Sequence, residues 1–124
     1  MEYTSIPPYF QISSEEIPYA AVLRVAGEVD VGSAPSLKER LMGLIVEDSP
    51  GTIVVDFQSV TFLDMSGVRV LEVCHRRAAQ QGLRFILVGS APLVHKILVI
   101  VELDKRMPLV ETMGEALEML GRAG

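Results

Sequence analysis

Thr52-Ile53-Val54-Val55-Asp56-Phe57, then Val60-Thr61-Phe62-Leu63, then Asp64-Met65-Ser66-Gly67 is the stretch that decides the fold. Its first six residues are β-branched and nearly continuous in apolar side chains, the pattern of a strand covered on both faces. A central strand is therefore expected over residues 52–57. The small, polar break at 64–67 then opens a helix whose Val68, Leu71, Val73, Cys74 and Ala78 fall mostly on one side, ending near Gln81-Gly82.

Downstream, residues 83–88 form another apolar strand, and Gly89-Ser90-Ala91-Pro92 supplies a cap and a first-turn proline for a helix from about Leu93. A short strand at 107–110 and an amphipathic helix at 113–120, carried by Ala116, Leu117 and Leu120, close the list. Upstream, Phe10-Gln11-Ile12-Ser13 alternates, Ser14-Glu15-Glu16-Ile17-Pro18 reads as a turn, and residues 19–26 read as a second strand, making an amino-terminal hairpin. Gly27-Glu28-Val29-Asp30 ends that strand. Ser33 is a cap candidate before Pro35, and Leu37, Leu41, Leu44 and Ile45 stripe a helix that stops before Pro50-Gly51. Strand and helix alternate three times, which implies parallel strands with right-handed crossovers. The expected architecture is α/β, a mixed, mostly parallel sheet with an amino-terminal hairpin and about four helices. Residues 1–9, with Pro7-Pro8, read as a flexible tail, and 10–121 as one domain.

The 124 residues suffice for one domain. With 49% hydrophobic and 22% charged residues the chain lies far from disordered compositions. Eleven Lys and Arg against sixteen Asp and Glu give a net charge of -5, so no basic footprint exists for nucleic acid. Cys74 is the single cysteine, which excludes an internal disulfide and fits a reducing cytoplasm. The start of the chain has no positive n-region or apolar h-region, and the longest apolar run, residues 97–101, is far too short to span a membrane.

Enzyme motifs fail on geometry. Ser66 lacks the flanking glycines of a nucleophile elbow, and His75 lies roughly 13 Å along the same helix. No glycine-rich phosphate loop appears, so no cofactor is expected. Cys74 and His75 are adjacent, their side chains diverge by about 100°, and they cannot chelate one ion, so no metal is expected. Cys74 is read as a core residue and His75 as a surface one. Asp64 remains a good N-cap, with Ser66 in the first turn, where free N–H groups and the helix dipole tolerate a phosphate. Gly67 there costs about 1 kcal/mol relative to Ala, which points to a close approach to the backbone. Phosphorylation of Ser66 would add about -1.5 to -2 charges beside Asp64 and Asp30.

Gly27-Glu28-Val29-Asp30, Ala34-Pro35-x-Leu37, Val54-Val55-Asp56-Phe57 and above all the block at 60–68 resemble the STAS domain, shared by bacterial anti-sigma factor antagonists and the cytoplasmic tails of sulfate transporters. The resemblance covers residues 10–120. It implies that Ser66 is the phosphoacceptor of a partner that is both kinase and anti-sigma factor. The unphosphorylated antagonist binds that partner and frees its sigma factor, and phosphorylation breaks the complex. Asp30 matches an aspartate near the acceptor, and Asp64 one that opens the acceptor loop. Met65 departs from the family, where a second small hydroxyl residue is frequent. ATP and the catalytic base then belong to the partner, and a phosphatase resets the switch. The expected contact surface is Asp30, Asp64, Met65, Ser66, Gly67 and the exposed helix positions Arg69, Glu72 and Arg76. The alternatives are a STAS scaffold or small-ligand sensor with Ser66 unmodified, and an enzyme acting alone on Ser66, Asp64 and Asp30, which has no base in reach. The third helix is apolar most of the way round. Val99 and Ile100 are expected beneath residues 107–120, failing which they mark a homodimer or partner site, so the expected state is a monomer or weak homodimer.

Overall fold

In the computed structural model, which describes residues 9–46, 51–89 and 92–121, five strands form one sheet in the order β1-β2-β3-β4-β5. β1 (Phe10–Ile17) runs antiparallel to β2 (Ala20–Val29), while β3 (Thr52–Leu63), β4 (Arg84–Val88) and β5 (Leu109–Val110) continue parallel to β2. Four α-helices follow: α1 (Ala34–Leu44), α2 (Met65–Gln80), α3 (Pro92–Ile100) and α4 (Met113–Gly121), with a short 3-10 turn at Leu103–Lys105. The mixed α/β architecture with its amino-terminal hairpin is the expected one. Residues 1–8 of the expected tail, the Pro50 stop and the Ser90-Ala91 cap lie outside the described residues, while Tyr9, the last residue of that tail, is hydrogen-bonded to Glu28 and Asp30 and belongs to the domain.

Strand alternation divides the core. Ala21, Leu23, Val25, Ile53, Val55 and Leu87 face Leu37 and Leu41 of α1, Leu71 and Cys74 of α2, and Val94 and Leu98 of α3. Ala20, Val22, Val54, Ile86 and Val88 face the other way, onto Ala116 of α4. α4 starts with a reciprocal capping box. The Thr112 hydroxyl accepts from Glu115 N–H at 3.1 Å, and the Glu115 carboxylate accepts from Thr112 N–H at 3.1 Å. Because α4 covers the opposite face, the expected burial of Val99 and Ile100 does not occur. They are 43% and 67% exposed.

The hairpin also differs from expectation. Ser14-Glu15-Glu16 is strand and not turn, paired through Ser14↔Leu23 to Glu16↔Ala21. Polar residues suit an edge strand whose outer face meets water, and Arg24 of β2 pairs with Glu15 across it. The turn is Pro18-Tyr19. Proline fixes the first central residue, and Tyr19 takes φ +71°, the left-handed value a type II turn demands at the second. A non-glycine there costs about 1 kcal/mol, and Tyr19 is exposed, with little packing to lose. Tyr19→Asn is expected to raise the melting temperature by roughly 2–4 °C. An unchanged or lower melting temperature would refute the turn assignment.

β3 is one strand of 12 residues, Thr52–Leu63, where the sequence suggested a strand over 52–57 only. Arg24↔Asp56 is followed by Ala26↔Ser59, and Gly27↔Val60 by Glu28↔Phe62, so β3 carries an extra residue at each of two bulges. Phe57, Val60 and Leu63 thereby all reach the same core at a spacing of three. The buried Asp56 carboxylate fixes the first bulge by accepting from Gln58 N–H at 2.9 Å. β4 pairs only with residues 52–56 of β3, so beyond it the sheet narrows to β1, β2 and β3, and the last residues, 28–29 of β2 and 62–63 of β3, run on as a two-stranded ribbon.

Candidate functional site

The ribbon ends in the pair Val29↔Leu63, and Asp64 N–H donates to Val29 C=O at 3.1 Å. This brings the loop starting at Asp30 beside the start of α2. Asp64 is the N-cap, as expected: its Oδ1 accepts from Ser66 N–H at 2.8 Å and from Gly67 N–H at 3.4 Å. Ser66 is half-buried, and among the described residues its hydroxyl has no hydrogen-bond partner. The backbone around it is tied down while the oxygen stays free to react.

Ser33, the serine at the start of α1, behaves oppositely and is not the side-chain cap expected of it. It is fully buried, donates to Glu28 C=O at 2.8 Å and accepts from Asp30 N–H at 3.0 Å. Asp30 does the capping instead, with Oδ1 accepting from Gly32 N–H at 2.9 Å, Ser33 N–H at 3.1 Å and the Tyr9 hydroxyl at 2.9 Å. Partial desolvation pushes the Asp30 carboxyl up, but the bonds from Tyr9, Ser33 and Gly32 outweigh it, and its pKa lies below the ordinary aspartate value.

Gly67 makes a close approach, though to the domain's own core. A Cβ there would stand 2.5 Å from Leu63 Cδ1 and 2.6 Å from Val29 Cγ1. Gly67 is buried and lets α2 sit directly on the ribbon, so it lies beneath the expected contact surface and not on it. Met65, Arg69, Glu72 and Arg76 recur at helical spacing and form a single stripe down α2. Met65 is 48% exposed, and Arg69 and Arg76 are exposed. Glu72 is engaged within the chain by Arg106. A cleft of about 250 Å³ opens beside that pair, lined by Glu72, His75, Arg76, Ala79, Arg106 and Met107.

His75 is half-buried on the wall of this cleft. Its ring meets Phe85 edge-on with centroids 5.7 Å apart, and burial holds its pKa below the usual value. Cys74 is fully buried in the core, which pushes its thiol up to about 11 and makes it inert. Two tip residues escaped the sequence reading, Val31 at 76% and Phe62 at 47% exposed. The available signal was parity: Leu63 enters the core, so the apolar Phe62 beside it must point out. Among the described residues no group of three metal-ligating side chains occurs, and no helix is long and apolar enough to cross a membrane.

The STAS domain family model matches residues 11–116. The anti-sigma-F factor antagonist RsfB of Mycobacterium tuberculosis is 31% identical over 97 residues, which cover 78% of each chain. The crystal structure of an anti-sigma factor antagonist from Mycobacterium paratuberculosis superposes with a TM-score of 0.82 at 28% identity, covering 93% of this chain and 97% of that one. The Bacillus cell fate determinant SpoIIAA in its phosphorylated form shares the fold, with a TM-score of 0.68 at 23% identity over 89% of this chain and 99% of that one. With the sheet order, the ribbon and the acceptor-like turn already in place, a match across this much of the sequence means that the chain belongs to the STAS domain family.

Proposed function

We propose that this protein is an anti-sigma factor antagonist, controlled by phosphorylation of Ser66. Unphosphorylated, it binds a kinase-type anti-sigma factor and releases that factor's sigma subunit. Phosphorylated, it lets go. The observation that carries the reading is the contrast between the two serines at helix starts: Ser33 is buried and doubly bonded, while Ser66 offers an unbonded hydroxyl on a fixed backbone. The hydroxyl is the substrate, so ATP and the base come from the partner, and this chain is a regulatory binding protein and not an enzyme. The relatives named above support the reading, and it places the protein in the cytoplasm with its sigma factor.

The partner docks on the tip formed by Asp30, Asp64 and Ser66, with Val31, Phe62 and Met65 as apolar contacts, and along the stripe of Arg69 and Arg76. Glu72 contributes by holding Arg106. A phosphatase resets the switch. To test this, Ser66→Ala is used as bait to capture the anti-sigma factor, which is then incubated with wild-type protein and ATP. One phosphate, a mass gain of about 80 Da, is expected on the wild type and none on Ser66→Ala. A phosphate elsewhere would defeat the reading, and an unmodified wild type would favour the scaffold or small-ligand sensor.

A further inference from the structure

The chain enters β1 through Tyr9, which bonds both the end of β2 and the Asp30 loop. Its carbonyl accepts from Glu28 N–H at 3.1 Å, extending the β1-β2 ladder by one bond. Its hydroxyl donates to Asp30 Oδ1 at 2.9 Å. The other bonds to that oxygen come from Gly32 and Ser33, two and three residues away, whereas Tyr9 is 21 residues distant. Among the described residues it is therefore the one non-local group bonded to the Asp30 carboxylate. Gly27 makes the crossing possible. With φ +94° and no Cβ, it leaves the space that the Tyr9 carbonyl occupies. The tyrosine oxygen also lies 3.0 Å from where a Cβ of Gly32 would stand, so the ring tip rests against the loop's outer turn.

We propose that Tyr9 is a positioning residue for the partner-facing Asp30 loop, acting through its hydrogen bond to Asp30 Oδ1 and not by contact with Ser66. The proposal rests on the antagonist reading and deepens it. With Oδ1 saturated by Tyr9 and the two loop amides, the second carboxylate oxygen is presented in one direction before the partner arrives. A loop ordered in advance loses less entropy on binding, and that difference appears as affinity. The bond raises the pKa of Tyr9 and helps to lower that of Asp30, two signatures that a tyrosine merely packed at the surface would lack. Glu28, the other acid near the phenol, adds to the rise at Tyr9.

Tyr9→Phe removes one oxygen and keeps the ring and the backbone bond to Glu28. The Asp30 carboxyl, followed by carbon-detected NMR through an acid titration, is expected to titrate at higher pH in Tyr9→Phe than in wild type. The amide resonances of Gly32 and Ser33 should shift with it. Affinity for the captured anti-sigma factor should fall roughly threefold to tenfold. An Asp30 titration that is the same in both proteins would overturn the proposal without reference to any partner. So would a moved titration with affinity inside about twofold of wild type. Failure of the antagonist reading shows itself differently, in wild type that neither binds the kinase nor accepts its phosphate, and it takes the role assigned to Tyr9 with it.

Discussion

Ser66→Glu is expected to lower affinity for the anti-sigma factor by roughly 10- to 100-fold while leaving the melting temperature within about 2 °C of wild type. The two halves follow from one location. In the first turn of α2 a carboxylate meets the positive end of the helix dipole, worth about 0.3–1 kcal/mol in favour of folding. Ser66 is half-buried and its hydroxyl has no hydrogen-bond partner among the described residues, so the replacement breaks no bond. In the proposed complex the same charge is enclosed by a partner packed on Val31, Phe62 and Met65, near the carboxylates of Asp30 and Asp64. An uncompensated charge in such a place costs several kcal/mol, of which reorganisation recovers part. Titration calorimetry with the captured kinase and thermal melts of both proteins measure the two effects. Equal affinities for wild type and Ser66→Glu, with folding intact, would remove Ser66 from the interface.

Gly27→Ala has the largest expected cost to stability, about 3 kcal/mol, equivalent to roughly 10 °C in melting temperature. At φ +94° an L-residue pays about 1–2 kcal/mol before any contact is considered. Its Cβ would then overlap the Tyr9 carbonyl oxygen and stand 2.8 Å from the carbonyl carbon, backbone atoms that cannot rotate aside. Relief comes only by detaching Tyr9, which sacrifices the bond to Glu28 N–H, about 1 kcal/mol, together with the bond to Asp30. Gly43 is the internal control. It lies in α1 with nothing within 4 Å of where a Cβ would stand, so Gly43→Ala should stabilise by up to about 1 kcal/mol. Urea denaturation of the two variants separates the cases, and a Gly27→Ala protein within about 1 kcal/mol of wild type would contradict the described path of Tyr9.

The sequence made plain what local pattern controls. Helix starts, the buried run at 52–57 and the Asp64 cap are each written in adjacent residues, and the structure places them accordingly. β3 was misread because Phe57, Val60 and Leu63 follow a spacing of three, and only pairing with β2 turns that spacing into a bulged strand. Polar Ser14-Glu15-Glu16 imitates a turn until its edge position is known. The Asp64 cap and the place of Ser66 in the first turn of α2 were legible to the residue. The Tyr9-Asp30 bond was not, because it joins positions 21 apart and depends on a glycine for clearance. Ser33 just before α1 and Ser66 in the first turn of α2 carry identical side chains, and burial and bonding in the fold tell the engaged one from the free one.

The two bulges of β3 have a further consequence. Each adds a residue that pairs with nothing on β2, so β3 without Gln58 would still match Gly27 with Val60 and Val29 with Leu63. What the extra residues supply is coil, since a bulged strand bends and twists more strongly than a regular one. Pairing and aim are therefore set by different residues. Removing Gln58 would give up the Asp56 bond to its N–H and straighten the strand, swinging the tip to a new bearing while its residues keep their partners on β2. A domain built this way can be redirected toward a differently shaped partner by a change of length, as readily as by a change of side chain.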